Sequence, residues 1–408
     1  MKRKIALQRA EELKKTIGDY LAVKDTIPTG FTQWEKIRER QEKIRILLGA
    51  TEKDWYSWRW QIRNRISDGK LLARIIDLSP RELEEIELTG SKFRWGVVPY
   101  YLSLVDPASK NDPLRLQSIP TNREYYDCTG EMDPMDEEYT SPAPAVTRRY
   151  PDRLIINVTN QCASYCRHCQ RRRNIGEVDR HTSRSNLSAA LEYVAANPEI
   201  RDVLLTGGDA LMLSDETLEW LLSELDKIPH VEIKRLGTRA PVNLPYRVTG
   251  DLCRMLSRHL PLYVNTHFNH PLEITPAAQE ACLALARCGI NLGNQAVLLR
   301  GINNDPMIMR KLSQELLRIM VRPYYIFHAK NVQGTNHFRT RVEEGIEIME
   351  KLRGYTSGLA IPTYIVNAPH GYGKTPMLAE YLISLGKDKV VIRTWENRVM
   401  EYENSLEE

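Results

Sequence analysis

The sequence predicts an α/β protein: a parallel sheet or partial barrel, entered through a helical N-terminal region. Three observations predict it. From Asp152 onward, short apolar strand candidates alternate with amphipathic helical segments. Polar residues unusual for a sheet follow the C-terminal ends of those strands, on the rim where α/β folds place their sites. Before them, the chain carries a helical apolar period.

Within residues 1–95, Trp34, Ile37, Gln41, Ile44 and Leu48 form a mostly apolar helical stripe, and Gly49 suits its stop. Thr51-Glu-Lys-Asp54 has the pattern of a capped start, with Trp55, Trp58, Ile62 and Ile66 expected on one face after it. Basic residues interleave with these tryptophans, but helical spacing favours a packing face over a nucleic-acid surface. Residues 96–150 are punctuated by prolines and contain an acidic run at 132–139, so an ordered, irregular connection is expected. In residues 151–345 the strand candidates are 154–159, 203–206, 233–236, 262–265, 292–298 and 323–327. The helical segments between them are 187–196, 218–228, 252–257, 276–288 and 307–320, with Pro276 suited to a first turn. Residues 346–408 add strand candidates at 362–366 and 390–393.

Composition excludes several classes. A net charge of +4 over 408 residues is too weak to argue for nucleic acid. No apolar stretch approaches the roughly 20 residues of a membrane span, and the start lacks a secretory pattern. Seven cysteines without a disulfide-framework spacing fit a reducing cytoplasm.

Three of those cysteines, Cys162, Cys166 and Cys169, crowd into a C-x3-C-x2-C loop after the first strand. Such thiolates can converge on one metal centre. A closed zinc site needs a fourth ligand, for which His168 is the available residue. Core packing of small thiols is a third reading, and the arginines around the loop make a poor apolar core. An iron–sulfur cluster on three cysteines keeps one iron open, whereas an electron carrier normally fills all four positions. This loop resembles the signature of the radical S-adenosylmethionine enzymes. The resemblance implies a partial (β/α)6 barrel, a four-iron, four-sulfur cluster (4Fe-4S) and reductive cleavage of S-adenosylmethionine to a 5′-deoxyadenosyl radical. Thr206, Gly207, Gly208 and Asp209 match the family's glycine-rich turn, where glycines allow close backbone approach. The resemblance also implies that His168 lies in the S-adenosylmethionine site.

Residues 368–375 look like a phosphate-binding P-loop, but Ala368 replaces the first glycine and the segment follows a late strand, so nucleotide hydrolysis is rejected. A lysine on a flexible glycine-rich turn, Lys374, can instead form a Schiff base with a carbonyl.

More closely, the chain resembles the lysine 2,3-aminomutase family over nearly its whole length. The segments that carry this are 147–153, 159–162, 165–169, 207–209, 237–241, 265–269, 293–297, 322–325, 337–339 and 371–374. The resemblance implies pyridoxal 5′-phosphate on Lys374, with Arg149, Tyr150 and Arg153 holding the cofactor phosphate. Arg171 then grips the substrate α-carboxylate, and His267 and Gln295 line the S-adenosylmethionine pocket. Where the lysine enzyme uses two aspartates to hold the distant ammonium, this chain has Lys330 and Asn367. A lysine repels an ammonium and attracts a carboxylate, and an asparagine can donate a hydrogen bond where an ionised aspartate only accepts. The pattern therefore resembles the glutamate 2,3-aminomutase branch. Lysine or another amino acid as substrate, or a non-enzymatic iron–sulfur protein, are the alternatives. The expected partners are a small amino acid and an external electron donor of flavodoxin or ferredoxin type, with no nucleic acid and no membrane. A cytoplasmic homo-oligomer, as a dimer, is expected. The tail at 390–408 has no cysteine, so the intersubunit zinc of some lysine enzymes is not expected.

Overall fold

The computed structural model describes residues 1–404, so the end of the cysteine-free tail, 405–408, lies outside the described residues. One sheet of nine strands runs in chain order. Its members are β1 (Val146–Thr147), β2 (Arg153–Thr159), β3 (Asp202–Gly207), β4 (Ile233–Gly237), β5 (Leu262–Thr266), β6 (Asn291–Leu298), β7 (Val321–His328), β8 (Thr363–Ala368) and β9 (Gly373–Pro376). From β2 to β8 every neighbouring pair is parallel, while β1 and β9 join antiparallel at the two edges. The six expected strands are β2 to β7. The later candidate at 362–366 is β8, which extends the parallel sheet by one more strand.

A helix follows each of β2 to β7: Arg184–Ala195, Asp215–Asp226, Gly250–Leu256, Pro276–Arg287, Pro306–Arg318 and Val342–Leu352. Their starts are written locally. Ser183, Ser214, Thr249 and Thr275 each accept a backbone N–H from the first turn, and Pro276 and Pro306 open two of the helices. The strands alternate in burial. Val203 and Leu205 of β3, and Leu292 and Leu298 of β6, are buried in the apolar core, while Leu204, Thr206, Gln295 and Val297 face an inner cavity. The curled sheet is therefore apolar outside and chemically mixed inside.

The N-terminal helices include Lys2–Thr16, Trp34–Leu47 and Pro80–Lys92, and Gly49 ends the second of these at φ +63°. The face expected at 55–66 is broken. Thr51 does form its capping box with Asp54, but that helix spans only Glu52–Trp55. Ser57 then caps a second short helix, Trp58–Arg63, and Ile66 pairs instead with Val97. Serine side chains compete for backbone donors, which is why this one restarts the helix. Residues 96–150 contain only short elements: the helices Pro99–Leu104, Pro113–Ser118 and Asn122–Tyr126, a 3-10 turn at Glu137–Thr140 and the edge strand β1. The candidate at 390–393 lies in a separate antiparallel sheet of β10 (Leu382–Leu385), β11 (Lys389–Arg393) and β12 (Val399–Glu403).

Candidate active site

All the candidate residues named from the sequence line one cavity, of about 280 Å³, that runs from the C-terminal ends of the parallel strands along the inside of the sheet to Arg153 at the start of β2. Cys162, Cys166 and Cys169 enter it from the loop after β2. Burial, with Asp209 and the other two cysteines, pushes the Cys162 thiol well up, and burial also raises Cys169. Thiolates here need cationic partners. One is already present: Arg239 donates from Nη1 to the Cys166 sulfur at 2.6 Å. Among the described residues, no three His, Cys, Asp or Glu side chains are arranged to hold a single metal ion. Cysteines that each bind a different iron of a cluster need no such convergence, so the donor set fits a cluster better than one zinc. His168 fits zinc poorly too. Its ring stands edge-on to Phe338, with centroids 6.0 Å apart, and its Nε2 lies 3.4 Å from Asn269 Nδ2. Burial and then Arg239 hold it neutral.

The glycine turn has a reason that sequence reasoning missed. A Cβ on Gly207 would sit 2.5 Å from the Thr159 carbonyl, and one on Gly208 would come closer still to the Gln161 carbonyl. The two glycines let the end of β3 lie against the backbone that launches the cysteine loop. Asp209 is buried and spends its oxygens internally. It accepts from Thr238 Oγ1 at 2.6 Å, Arg239 N at 2.8 Å and Leu211 N at 3.0 Å, tying β3 to β4. His267 Nδ1 lies 2.9 Å from the Gln295 carbonyl, so this nitrogen carries the hydrogen and Nε2 is an acceptor. Burial holds the ring down to about 4, hence neutral.

Lys374 is not on a flexible turn. It lies in β9, paired opposite Asn367 of β8, at the exit of a tight connection with His370, Gly371 and Gly373 at positive φ. The Lys374 backbone N–H donates to Tyr150 Oη at 2.9 Å. Its ammonium lies 5.2 Å from the Tyr325 ring, 5.7 Å from Phe327 and 5.9 Å from Tyr150. Burial, then Arg235 and Arg153, hold this amine down to about 8. Arg153 stacks on the Tyr150 ring at 4.0 Å. Arg149 and Arg171 both bind Glu137, at 2.7 and 3.1 Å, and Arg149 Nε is buried without a partner. An orphaned guanidinium donor beside a neutralisable lysine suits an anionic, carbonyl-bearing group such as pyridoxal phosphate. Lys330 follows β7. Burial, then Arg171 and Arg149, push its ammonium well below the usual lysine range.

Known proteins match this chain along its length. The lysine-2,3-aminomutase profile covers residues 349–407, and the radical SAM superfamily profile covers 156–312. The glutamate 2,3-aminomutase of Clostridioides difficile (strain 630) is 57% identical over 401 residues, covering 98% of this chain and 95% of that one. The L-lysine 2,3-aminomutase of Clostridium subterminale is 47% identical, covering 89% and 88%. That of Bacillus subtilis (strain 168) is 42% identical, covering 91% and 79%.

The chain belongs to the lysine 2,3-aminomutase family of radical S-adenosylmethionine enzymes.

It is therefore an aminomutase, an isomerase, on a radical SAM half-barrel, in a family that works with a 4Fe-4S cluster, S-adenosylmethionine and pyridoxal phosphate. Among the described residues, no helix is long and apolar enough to cross a membrane. Several site residues of this aminomutase escaped sequence reasoning. Arg235 is an inward arginine within β4, and Tyr325 and Phe327 share a face of β7 by the two-residue strand period, a signal that was available. Arg239 stood out in the sequence as a polar residue at a strand end, but its tie to Cys166 did not, and Glu137 offered no signal, because their partners are remote in the chain.

Proposed function

We propose that this enzyme interconverts L-glutamate and β-glutamate (3-aminoglutarate) by a 2,3-amino shift that depends on pyridoxal phosphate at Lys374. The observation that carries the substrate assignment is Lys330 and Asn367 in one cavity with Arg171 and Lys374. A dicarboxylic amino acid meets a cationic or donating group at each end there, whereas a lysine ammonium would face Lys330. The name of the Clostridioides difficile relative points the same way.

When bound, the cluster and S-adenosylmethionine supply a 5′-deoxyadenosyl radical, and pyridoxal phosphate supplies the carbonyl that carries the migrating amine. Cys162, Cys166 and Cys169 hold the cluster, and Arg239 donates to one of its sulfur ligands. His168, Thr206, Gly207, Gly208, Asp209, His267 and Gln295 form the S-adenosylmethionine wall, with Asp209 setting strand ends and neutral His267 offering Nε2 as an acceptor. Lys374 is the catalytic residue, with its amine held near 8 and so in part unprotonated and nucleophilic at neutral pH. Tyr150 fixes its backbone, and Arg149 and Arg153 meet the phosphate. Arg171 takes the α-carboxylate, while Lys330 and Asn367 read the side-chain carboxylate. The curled sheet keeps bulk water from the reacting carbons. Residues 151–345 form the catalytic barrel, 1–95 and 96–150 its covering, and 346–408 the extension bearing the cofactor lysine. A cytoplasmic dimer served by a flavodoxin- or ferredoxin-type donor completes the reading.

The test is anaerobic turnover by the reconstituted enzyme, offered glutamate, lysine, aspartate or glutamine separately. β-Glutamate from glutamate is the expected product. β-Lysine from lysine, with glutamate inert, would overturn the substrate assignment.

A further inference from the structure

The acidic run at 132–139 has no role in the reading above, yet it folds back into the active site. Its Glu137 is 6% exposed and shares its carboxylate among three guanidiniums. Oε1 accepts from Arg149 Nη2 at 2.7 Å and from Arg171 Nε at 3.1 Å, and Oε2 accepts from Arg173 Nη2 at 2.7 Å. Asp133 backs the cluster, accepting from the Glu137 backbone N–H at 2.7 Å and pairing with Arg173 at 2.9 Å. One residue before Glu137, Asp136 bonds the His370 ring at 2.7 Å, and the His370 N–H donates to the Pro134 carbonyl at 3.3 Å. His370 belongs to the turn that leads into Lys374. The acidic segment is thus a strap joining the arginine cluster to the lysine turn.

Three partly buried guanidiniums gathered in one place repel one another unless an anion sits between them. Burial works against the Glu137 charge, yet Arg171, Arg149 and Arg173 hold its carboxyl down to about 2. The geometry of the remaining donors is specific. Glu137 takes Arg171 by Nε, and the two Nη groups of Arg171 make no hydrogen bond among the described residues. It takes Arg149 by Nη2, leaving Nε buried without a partner.

We propose that Glu137 is a positioning residue for two anion subsites: it orients Arg171 so that both Nη groups meet the α-carboxylate of the amino acid, and orients Arg149 so that Nε meets the cofactor phosphate. This rests on the roles assigned to Arg171 and Arg149 above. It does not rest on glutamate, because every α-amino acid carries the α-carboxylate.

The test uses Glu137→Gln, which keeps shape and removes charge, and Glu137→Asp, which keeps charge and shortens the reach. Cofactor affinity is read by fluorescence titration with pyridoxal phosphate and, separately, with pyridoxal, which lacks the phosphate. KM and kcat are read with whichever amino acid the wild-type enzyme turns over. In E137Q, pyridoxal phosphate affinity falls about tenfold while pyridoxal affinity holds, and KM rises about tenfold while kcat changes little. E137D falls between E137Q and wild type. Unchanged affinity and KM in E137Q would overturn the proposal. So would tighter binding, which would make Glu137 a competitor for the arginines, or equal losses for pyridoxal and pyridoxal phosphate, which would make its role structural. If E137Q does not fold, a folded E137D with wild-type affinity and KM overturns it instead. If wild type binds no pyridoxal phosphate, the proposed function fails first, and amino-acid affinity read by calorimetry in wild type and E137Q still tests Glu137 at Arg171, an unchanged affinity overturning the proposal.

Discussion

Replacing Lys330 with methionine removes one cation from the substrate cavity at little change in length. An ammonium and a carboxylate about 4 Å apart attract by about 4 kcal/mol at the effective dielectric of roughly 20 that suits protein sites. Part of this is lost, because burial and the Arg171 and Arg149 charges already disfavour the Lys330 ammonium. The net effect therefore sits at the low end of the roughly 2–5 kcal/mol that losing one partner of a buried charge pair costs, about 2 kcal/mol, or about 30-fold. Glutamine has the length of glutamate and a neutral amide, so it reports everything except that charge. The assay is kcat/KM for glutamate over that for glutamine, in wild type and K330M. The ratio falls about 30-fold in K330M. A pH dependence accompanies it. A substrate carboxylate raises the depressed lysine, so binding takes up a proton and glutamate KM rises with pH in wild type, through a window that K330M lacks. Arg171, Arg149, Glu137 and Lys374 surround position 330 in both proteins, so only the difference between the two profiles is read. An unchanged ratio in folded, cluster-loaded K330M would refute the charge argument.

Covalent capture of pyridoxal phosphate by Lys374 needs the neutral amine, so its rate, followed by absorbance, climbs with pH and levels above about 8; a rate independent of pH below 8 would contradict this. Glu124→Gln leaves Arg167 and Arg172 buried without their carboxylate, costing about 3–5 kcal/mol in urea unfolding. Because the Glu124 carboxyl is lowered in the fold despite burial, its stabilisation is present above the ordinary carboxylate range and is lost as pH falls through the depressed value. The Glu124→Gln variant lacks that acid-side loss. Gly345→Ala improves helix propensity by about 1 kcal/mol, but its Cβ lands on the Tyr364 ring. Overpacking costs about 1–3 kcal/mol, so a net destabilisation of about 1 kcal/mol is expected by the same unfolding measurement.

The cysteine loop was legible because its information is local: three ligands within eight residues are kept together by the chain itself. The strands and helices were legible for a similar reason. Alternation along β3 or β6, and a serine or threonine ahead of four of the six helices that follow the strands, are written in consecutive residues. The break at Ser57 was equally local but was overridden in the reading by the apolar spacing of Trp55, Trp58 and Ile62.

The sequence by itself determined the alternating sheet, the three-cysteine loop, the glycine turn and, through resemblance, the chemistry of each candidate residue. Tertiary structure alone decided how those residues act on one another. Arg239 reaches Cys166 across 73 positions of chain, and Glu137 gathers arginines up to 36 positions away. Lys374 meets Tyr150 across 224 positions, because β9 folds back on β8. Coulomb attraction depends on distance in space, and burial depends on what packs around a group. Neither quantity exists along a one-dimensional chain, so the charge states of Lys330 and Lys374 and the anchoring of Arg171 belong to the fold.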